Sequence, residues 1–257
     1  KVPHTFDIPS YSLDDVEEIM SPSDPNFLKD RFVFYNISQF SQKKGIDSLL
    51  RAYFGAFHGK QDEVVLLLKT YVNMSGRSQE QDKLKAYINN VKQGMRLPVD
   101  GYPPVMLVTK TLTDDQIRKI HKTGDAYVCS SRGEGWCIPA FDALTYGNKL
   151  ITTLWGGMGE FAQRADSNVQ RPNVFPIRYS MEPLVSQQHA DPELYTSFDM
   201  IAEPSVSSMM TQMKAVRMRE TEEAPDMTEF DHSVVGPKML AVIEEIAASK
   251  TKETSNV

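Results

Sequence analysis

The sequence predicts an α/β fold, a Rossmann-like parallel sheet with helices on both faces, and three observations predict it. Short apolar runs rich in Val, Ile, Tyr and Phe recur: "RFVFYNI", "EVVLLLKTY", "PPVMLVTK", "DAYVCSS" and "NKLITTLW". Between them lie stretches whose apolar residues return at the helical period of 3.6. The order strand, helix, strand, helix holds from Arg31 to Phe161, and that alternation demands a parallel sheet covered on both sides.

Taken in order, the helices justify themselves. Ile46, Leu49, Leu50, Tyr53, Phe54 and Phe57 form a wide apolar stripe that packs on a core. Leu84, Tyr87, Ile88 and Val91 repeat the pattern, and Thr113-Asp114-Asp115-Gln116 reads as a capping box opening a helix through Ile117 and Ile120. "PAFDALTYG" reads as a helix with proline at its start and glycine at its end. Beyond Phe161, "NVQRPNVFPIRYSMEPLVSQQHADPELY" is polar and punctuated by proline, which predicts a long surface excursion without regular structure. Pro204 is expected as the first residue of a helix through Met209, Met210, Met213 and Val216. Met239, Leu240, Val242, Ile243 and Ile246 mark a final helix, "RETEEAPDMTEFD" before it a loop, and "SKTKETSNV" after it a frayed tail.

At 257 residues, 40% hydrophobic and 24% charged, the composition is that of an ordinary globular protein. Twenty-eight basic against 34 acidic residues give a net charge of -6 without any long basic block, so nucleic acid is not an expected partner. A local basic patch could still hold a small anion. Cys129 and Cys137 have neither zinc-site spacing nor the density of a disulfide scaffold, which points to a reducing, cytoplasmic setting. No run of 18 apolar residues predicts a transmembrane segment. The five histidines lack ligand spacing, so no metal is expected. Several of the 13 methionines recur at helical spacing, which favours core filling over an adaptable binding surface.

The chemistry concentrates in "SSRGEGWCIPAFDALTYGNKLITTLWGGMGEF", Ser130 to Phe161. The strand "DAYVCSS", ending at Ser131, leads into Arg132-Gly133-Glu134-Gly135, which sets Glu134 on the loop at a strand's carboxyl end and Asp142 about one turn into the next helix. Ligands of open parallel sheets bind outside those strand ends, and free amides at a helix N-terminus attract phosphate. Gly133 and Gly135 let the backbone approach a ligand closely. One carboxylate can accept two hydrogen bonds from a ribose diol and the other can hold a sugar hydroxyl. Phosphate between two diol-binding carboxylates is the pattern of a nucleotide sugar.

These residues resemble a family: the donor-binding domains of retaining glycosyltransferases of GT-B architecture, glycosyltransferase family 4 in particular. The family's Glu-x7-Glu motif is similar to Glu134-Gly135-Trp136-Cys137-Ile138-Pro139 with Asp142 in the second acidic position. "SQKKGIDSLLRAYFGAF" looks like its Lys-Gly turn, "LITTLWGGMGEF" like its Gly-Gly-x-x-Glu segment, and "MIAEPSVSSMM" like a late segment. "VPHTFD" resembles the interdomain linker, which implies a linker over residues 1–20 and a donor domain over 21–257.

The resemblance implies transfer of a sugar from a nucleotide diphosphate sugar, with retention of configuration, no metal and no other cofactor, in company with an acceptor domain or chain that supplies the other half of the site. It implies that Glu134 meets the donor sugar, Asp142 the ribose, and Lys44 the diphosphate, with Lys43 standing in for an upstream arginine that is replaced here by Ser38-Gln39. A fixed cation at the leaving diphosphate stabilises the charge that grows as the glycosidic bond breaks. Cys137 replaces a common glycine, and main-chain groups from Val108 to Leu112 are expected near the base.

Plainer readings stand beside these. Glu134 could cap the following helix, Asp142 could be a solvated helix face, and Lys43 and Lys44 could be surface charges. Gly156 and Gly157 either end a strand or leave room for a sugar, Trp136 is a ligand platform or an apolar plug, Arg132 meets an anion or sits in a buried ion pair, and Glu160 either belongs to the site or ties down its loop. The rival function is a non-catalytic nucleotide or nucleotide-sugar binding module. A phosphorylase-like enzyme is a third, without any lysine singled out for a pyridoxal cofactor.

Overall fold

A computed structural model describes residues 3–6, 27–71, 80–163, 170–184, 196, 198–220 and 223–254. Most of the expected linker, residues 7–20, lies outside the described residues.

The first half alternates as the sequence predicts. Strands β1 (Phe32–Gln39), β2 (Val64–Tyr71), β3 (Val105–Val108), β4 (Ala126–Cys129) and β5 (Lys149–Thr152) are separated by helices α1 (Ile46–Phe57), α2 (Glu80–Met95), α3 (Asp114–Thr123) and α4 (Ile138–Thr145). A short helix α5 (Met158–Ala162) follows, then β6 (Val174–Pro176). The strands form one sheet in the order β3-β2-β1-β4-β5-β6, every pair parallel. The chain runs outward from β1 through β2 to β3, then crosses back to place β4 on the other side of β1. The loops after β1 and β4 therefore diverge, and a crevice opens between them.

Alternation along each strand divides the core into two layers. Phe34, Leu66, Leu68, Val128 and Ile151 face α1, α2 and α6 (Val206–Met218), where they meet Leu49, Tyr53, Phe54, Phe57 and Met213. Val33, Tyr35, Val65, Leu67, Tyr127 and Leu150 face the opposite side, against Ile120 of α3, Phe141 and Leu144 of α4 and Phe161 of α5. Burial on both faces explains why these strands read as nearly continuous apolar runs. Phe54 is wholly buried, and its truncation to alanine is worth about 3–5 kcal/mol. The capping box at Thr113 forms as its spacing predicts, with Gln116 N–H donating to Thr113 Oγ1 at 3.3 Å and Gln116 Oε1 accepting from Thr113 N–H at 3.1 Å.

The structure departs from the sequence reading after Phe161. The stretch expected as an irregular excursion contributes β6, the sixth strand of the sheet, and β7 (Tyr179–Pro183), which pairs antiparallel with β8 (Met200–Pro204). Buried Val174 and Phe175 supply the core contacts. Pro176 hid the strand from sequence reasoning, yet an edge strand tolerates a proline because its outer side has no ladder to complete. Pro204 ends β8 rather than opening α6; the cap is Ser205, whose Oγ accepts from Ser208 N–H at 3.2 Å. The hydroxyl satisfies an orphan amide that proline cannot.

The last helix, α7 (His232–Thr254), extends through part of the segment expected to fray. Its start is tied down by Pro3–Phe6, since Phe6 N–H donates to Phe230 O at 3.1 Å and His232 N–H to Phe6 O at 2.8 Å. Further along, Met239, Leu240, Val242, Ile243 and Ile246 are exposed, so this apolar stripe packs on nothing among the described residues. Of the methionines, Met158, Met209, Met213 and Met227 are buried.

Candidate functional site

Two turns meet at the crevice between β1 and β4. The first is Gln42-Lys43-Lys44, a turn of 3-10 helix closed by Gly45 at φ +62°. Gly45 is required twice over: its φ is left-handed, and a β-carbon there would lie 2.1 Å from the carbonyl oxygen of Ser130. The second is the loop after β4, whose residues strap the first in place. Ser130 Oγ donates to Lys44 O at 2.9 Å, Ser131 Oγ to Lys43 O at 3.2 Å, and Arg132 N–H to Lys43 O at 2.8 Å.

This double strap brings Lys44 to Glu134. Nζ of Lys44 donates to Oε1 of Glu134 at 2.5 Å, with the two side chains 24% and 13% exposed. Burial works to depress the Lys44 ammonium, and the hydrogen bond and charge of Glu134 more than offset it, leaving its pKa above the ordinary lysine value. Glu134 is held from behind by the Gly156-Gly157 turn. Gly157 N–H donates to Glu134 O at 3.0 Å, and a β-carbon on Gly157 would meet Gly135 O at 1.8 Å, one on Gly156 Glu134 O at 2.6 Å. The two glycines thus serve close backbone packing under the Glu134 loop.

The crevice deepens into a cavity of about 830 Å³, within the range of small-molecule sites. Lys44, Glu134, Trp136 and Cys137 line it, as do Thr109, Thr111 and Leu112 from the loop expected near a base. Lys43, Gly133, Gly135, Asp142, Gly156 and Gly157 do not form its wall. Asp142 is half-buried on α4. Burial raises the hydroxyl pKa values of Tyr35 and Tyr146, and the charge of Asp142 raises both further. Lys43 is exposed, and a β-carbon on Gly133 would touch its Cε at 3.8 Å. Gly135 has nothing within 4 Å of such a carbon, so open space adjoins its backbone. Glu160 lies in the first turn of α5, outside the cavity wall.

Trp136 serves as a plug and as wall. Its ring packs 5.3–5.7 Å from Phe141, Phe161 and Phe230 and stacks on His4 at 6.0 Å. Its buried indole N–H has no acceptor among the described residues. Cys137 caps α4 in the left-handed region, at φ +64°, a conformation that costs a non-glycine residue about 1–2 kcal/mol. Its Sγ lies 3.6 Å from Sγ of Cys129, a proximity that spacing along the chain does not announce. Arg132 resolves as a buried ion pair: it bonds Glu203, Asp47 and the carbonyl of Gln42, and thereby fastens β8 and α1 to the loop that carries Glu134.

Sequence reasoning missed His4, Asn36, Lys69 and Tyr127, all on the cavity wall. Asn36 and Lys69 are polar interruptions in the second halves of their apolar strands, and Tyr127 reads as an ordinary core residue of β4. His4 arrives from the other end of the sequence and leaves no local signal. Among the described residues, no cluster of His, Cys, Asp or Glu could hold a metal ion and no helix is long and apolar enough to cross a membrane.

The fold and crevice define a Rossmann-like α/β domain with a small-molecule cavity at the point where strand order reverses. No protein-family model matches the chain, and no curated protein matches its sequence. Solved structures do match in fold. A UDP-forming α,α-trehalose-phosphate synthase from Burkholderia xenovorans superposes with a TM-score of 0.62 at 13% identity, over 96% of this chain and 52% of that one. A structure of such a synthase from the same organism in complex with glucose-6-phosphate gives 0.57 at 11% identity, over 85% and 45%. The trehalose-6-phosphate protein from E. coli bound with UDP-2-fluoro glucose gives 0.53 at 10% identity, over 86% and 44%. The chain spans about half the length of these GT-B proteins and shares the fold of that half.

Proposed function

We propose that this chain is the donor-binding half of a GT-B glycosyltransferase, which holds a nucleotide diphosphate sugar and acts with an acceptor domain or chain. The observation that carries the reading is the Lys44–Glu134 pair on the wall of the cavity between β1 and β4. A diphosphate seated there meets Lys44, whose fixed charge stabilises the leaving group as the glycosidic bond breaks. Glu134, released in part from Lys44, holds a hydroxyl of the donor sugar. Pro139 removes one amide from the start of α4, and Ala140 N–H is spent on Cys137 O at 2.9 Å, so the amides of Cys137 and Ile138, which have no backbone acceptor among the described residues, are left for phosphate. Retention of configuration, membership of family 4, and catalysis without metal or other cofactor are carried over from the sequence resemblance. The apolar stripe on α7 supports a partner half, since a contiguous exposed apolar face seeks a cover.

A non-catalytic nucleotide-sugar module is the second reading, favoured by one observation: Asp142, in the position of the ribose carboxylate, stands off the cavity wall. A thermal-shift screen of nucleotide diphosphate sugars tests binding, because a ligand that binds only the folded state raises the melting temperature by mass action. Stabilisation by a nucleotide sugar is expected; no stabilisation by any would dismiss both readings.

A further inference from the structure

Lys69 stands apart from the other buried cations. Arg132 and Arg171 each pair with a carboxylate, and Lys149 Nζ donates to the carbonyls of Val216 and Arg219 at 3.3 and 2.6 Å. Lys69 is only 8% exposed and has no hydrogen bond or ion pair with any described residue. Its ammonium stands 5.6 Å from the Tyr71 ring, and Glu80 acts on it only through its charge at a distance. Its stem is buried while its ammonium opens on the cavity, so Lys69 presents a cation without a partner among the described residues to the space that a ligand would occupy.

Its place in the cavity says which part of a ligand it meets. Val65, Leu67 and Lys69 share one face of β2 by the period of two, and Val65 and Leu67 pack into the layer under α3 and α4. Lys69 continues that row one step past the core, beside Ile37 of β1 and Val108 of β3. It therefore borders the loop that begins at Thr109, whereas Glu134 stands beyond β4, on the far side of β1. Strands β2 and β4 are two strand spacings apart, about 10 Å. A ligand with its anionic end at Lys44 reaches Lys69 with its opposite end.

Resting on the donor-binding reading above, we propose that Lys69 is the base-specificity residue of this cavity, its ammonium donating to a ring carbonyl such as O6 of guanine or O4 of uracil. Adenine presents an amine donor at the corresponding edge, where guanine and thymine-like bases present an acceptor. An ammonium has three donors and no acceptor, so it rewards the keto base and repels the amine.

The test is calorimetric titration of UDP, GDP and ADP against the wild-type chain, Lys69→Met and Lys69→Arg, with melting curves to establish that each variant folds. Wild type is expected to bind UDP or GDP about tenfold or more tighter than ADP, the scale of a hydrogen bond to a charged donor. Lys69→Met should bring that affinity down to the level of ADP, leave ADP within about threefold, and Lys69→Arg should restore part of the preference. An equal loss for all three diphosphates would make Lys69 a phosphate contact and overturn the proposal, as would no loss at all. If none of the three binds wild type, the donor reading itself fails, which is a different result from binding without base preference.

Discussion

The Lys44 ammonium and the Glu134 carboxylate, 90 positions apart in sequence, meet at 2.5 Å on the wall of one cavity. Each was identified from its own loop, and their contact makes them one device. Glu134 holds the Lys44 charge in place against the pull of burial. Because the folded pKa of Lys44 is raised, the pair contributes stability below the ordinary lysine value of about 10.4 and loses it as pH rises through the higher folded value. In Glu134→Gln the pull of burial loses the charge that mainly opposes it, so the Lys44 pKa is expected to fall relative to wild type. Titrations of UDP across alkaline pH should show affinity persisting to higher pH in wild type than in Glu134→Gln. At neutral pH, Lys44→Gln should weaken UDP about tenfold or more while Glu134→Gln does not.

Gly45 and Gly135 differ in what surrounds them. Alanine at Gly45 must adopt φ +62° and displace the Ser130 carbonyl, so Gly45→Ala is expected to cost about 2–4 kcal/mol in urea denaturation and to loosen Lys44. Alanine at Gly135 meets open space, and its stability should stay within about 0.5 kcal/mol of wild type. Equal costs would contradict the strap geometry.

Arg132→Met removes the cation shared by Asp47 and Glu203, whose side chains are 36% and 27% exposed. Water screens the two carboxylates left behind, so the expected loss is about 2–3 kcal/mol, at the low end for breaking a buried pair. UDP affinity measured where the variant is folded should fall less than threefold, since Arg132 faces protein groups and not the ligand.

His121 is buried among Tyr35, Tyr146 and Asn148, and burial pushes its pKa down to about 3. The unfolded chain takes up that proton near pH 6.5, so between about 6.5 and 3 the unfolded state binds more protons and stability falls as pH falls. His121→Gln should flatten this part of the stability–pH curve by an amount on the order of a few kcal/mol. A curve unchanged by the substitution would show that His121 is not the acid-sensitive group.

How much of this was legible in the sequence follows from what each element depends on. Strands β1 to β5 and helices α1 to α4 depend on local periodicity and caps, and the reading found them. Strand β6 depends on an edge position that excuses Pro176, and the β7–β8 pair on a long-range partner, so neither leaves a local signal. Within the site, Glu134 and Lys44 sit in motifs bracketed by glycine and could be singled out. Lys69 ends a strand and looks like an ordinary polar interruption until the sheet places it in the cavity. The closeness of Cys129 and Cys137 depends on the left-handed turn at Cys137, a conformation that its residue type argues against.

The central claim, that the Lys44–Glu134 crevice holds a nucleotide diphosphate sugar, is tested most directly by calorimetric titration of a donor and its bare nucleoside diphosphate. Both are titrated into wild type and Glu134→Ala. The account predicts that wild type binds the sugar-bearing donor more tightly than the bare diphosphate and that Glu134→Ala abolishes the difference while still binding the diphosphate. Affinity for the nucleotide alone, identical in both proteins and indifferent to the sugar, would contradict it.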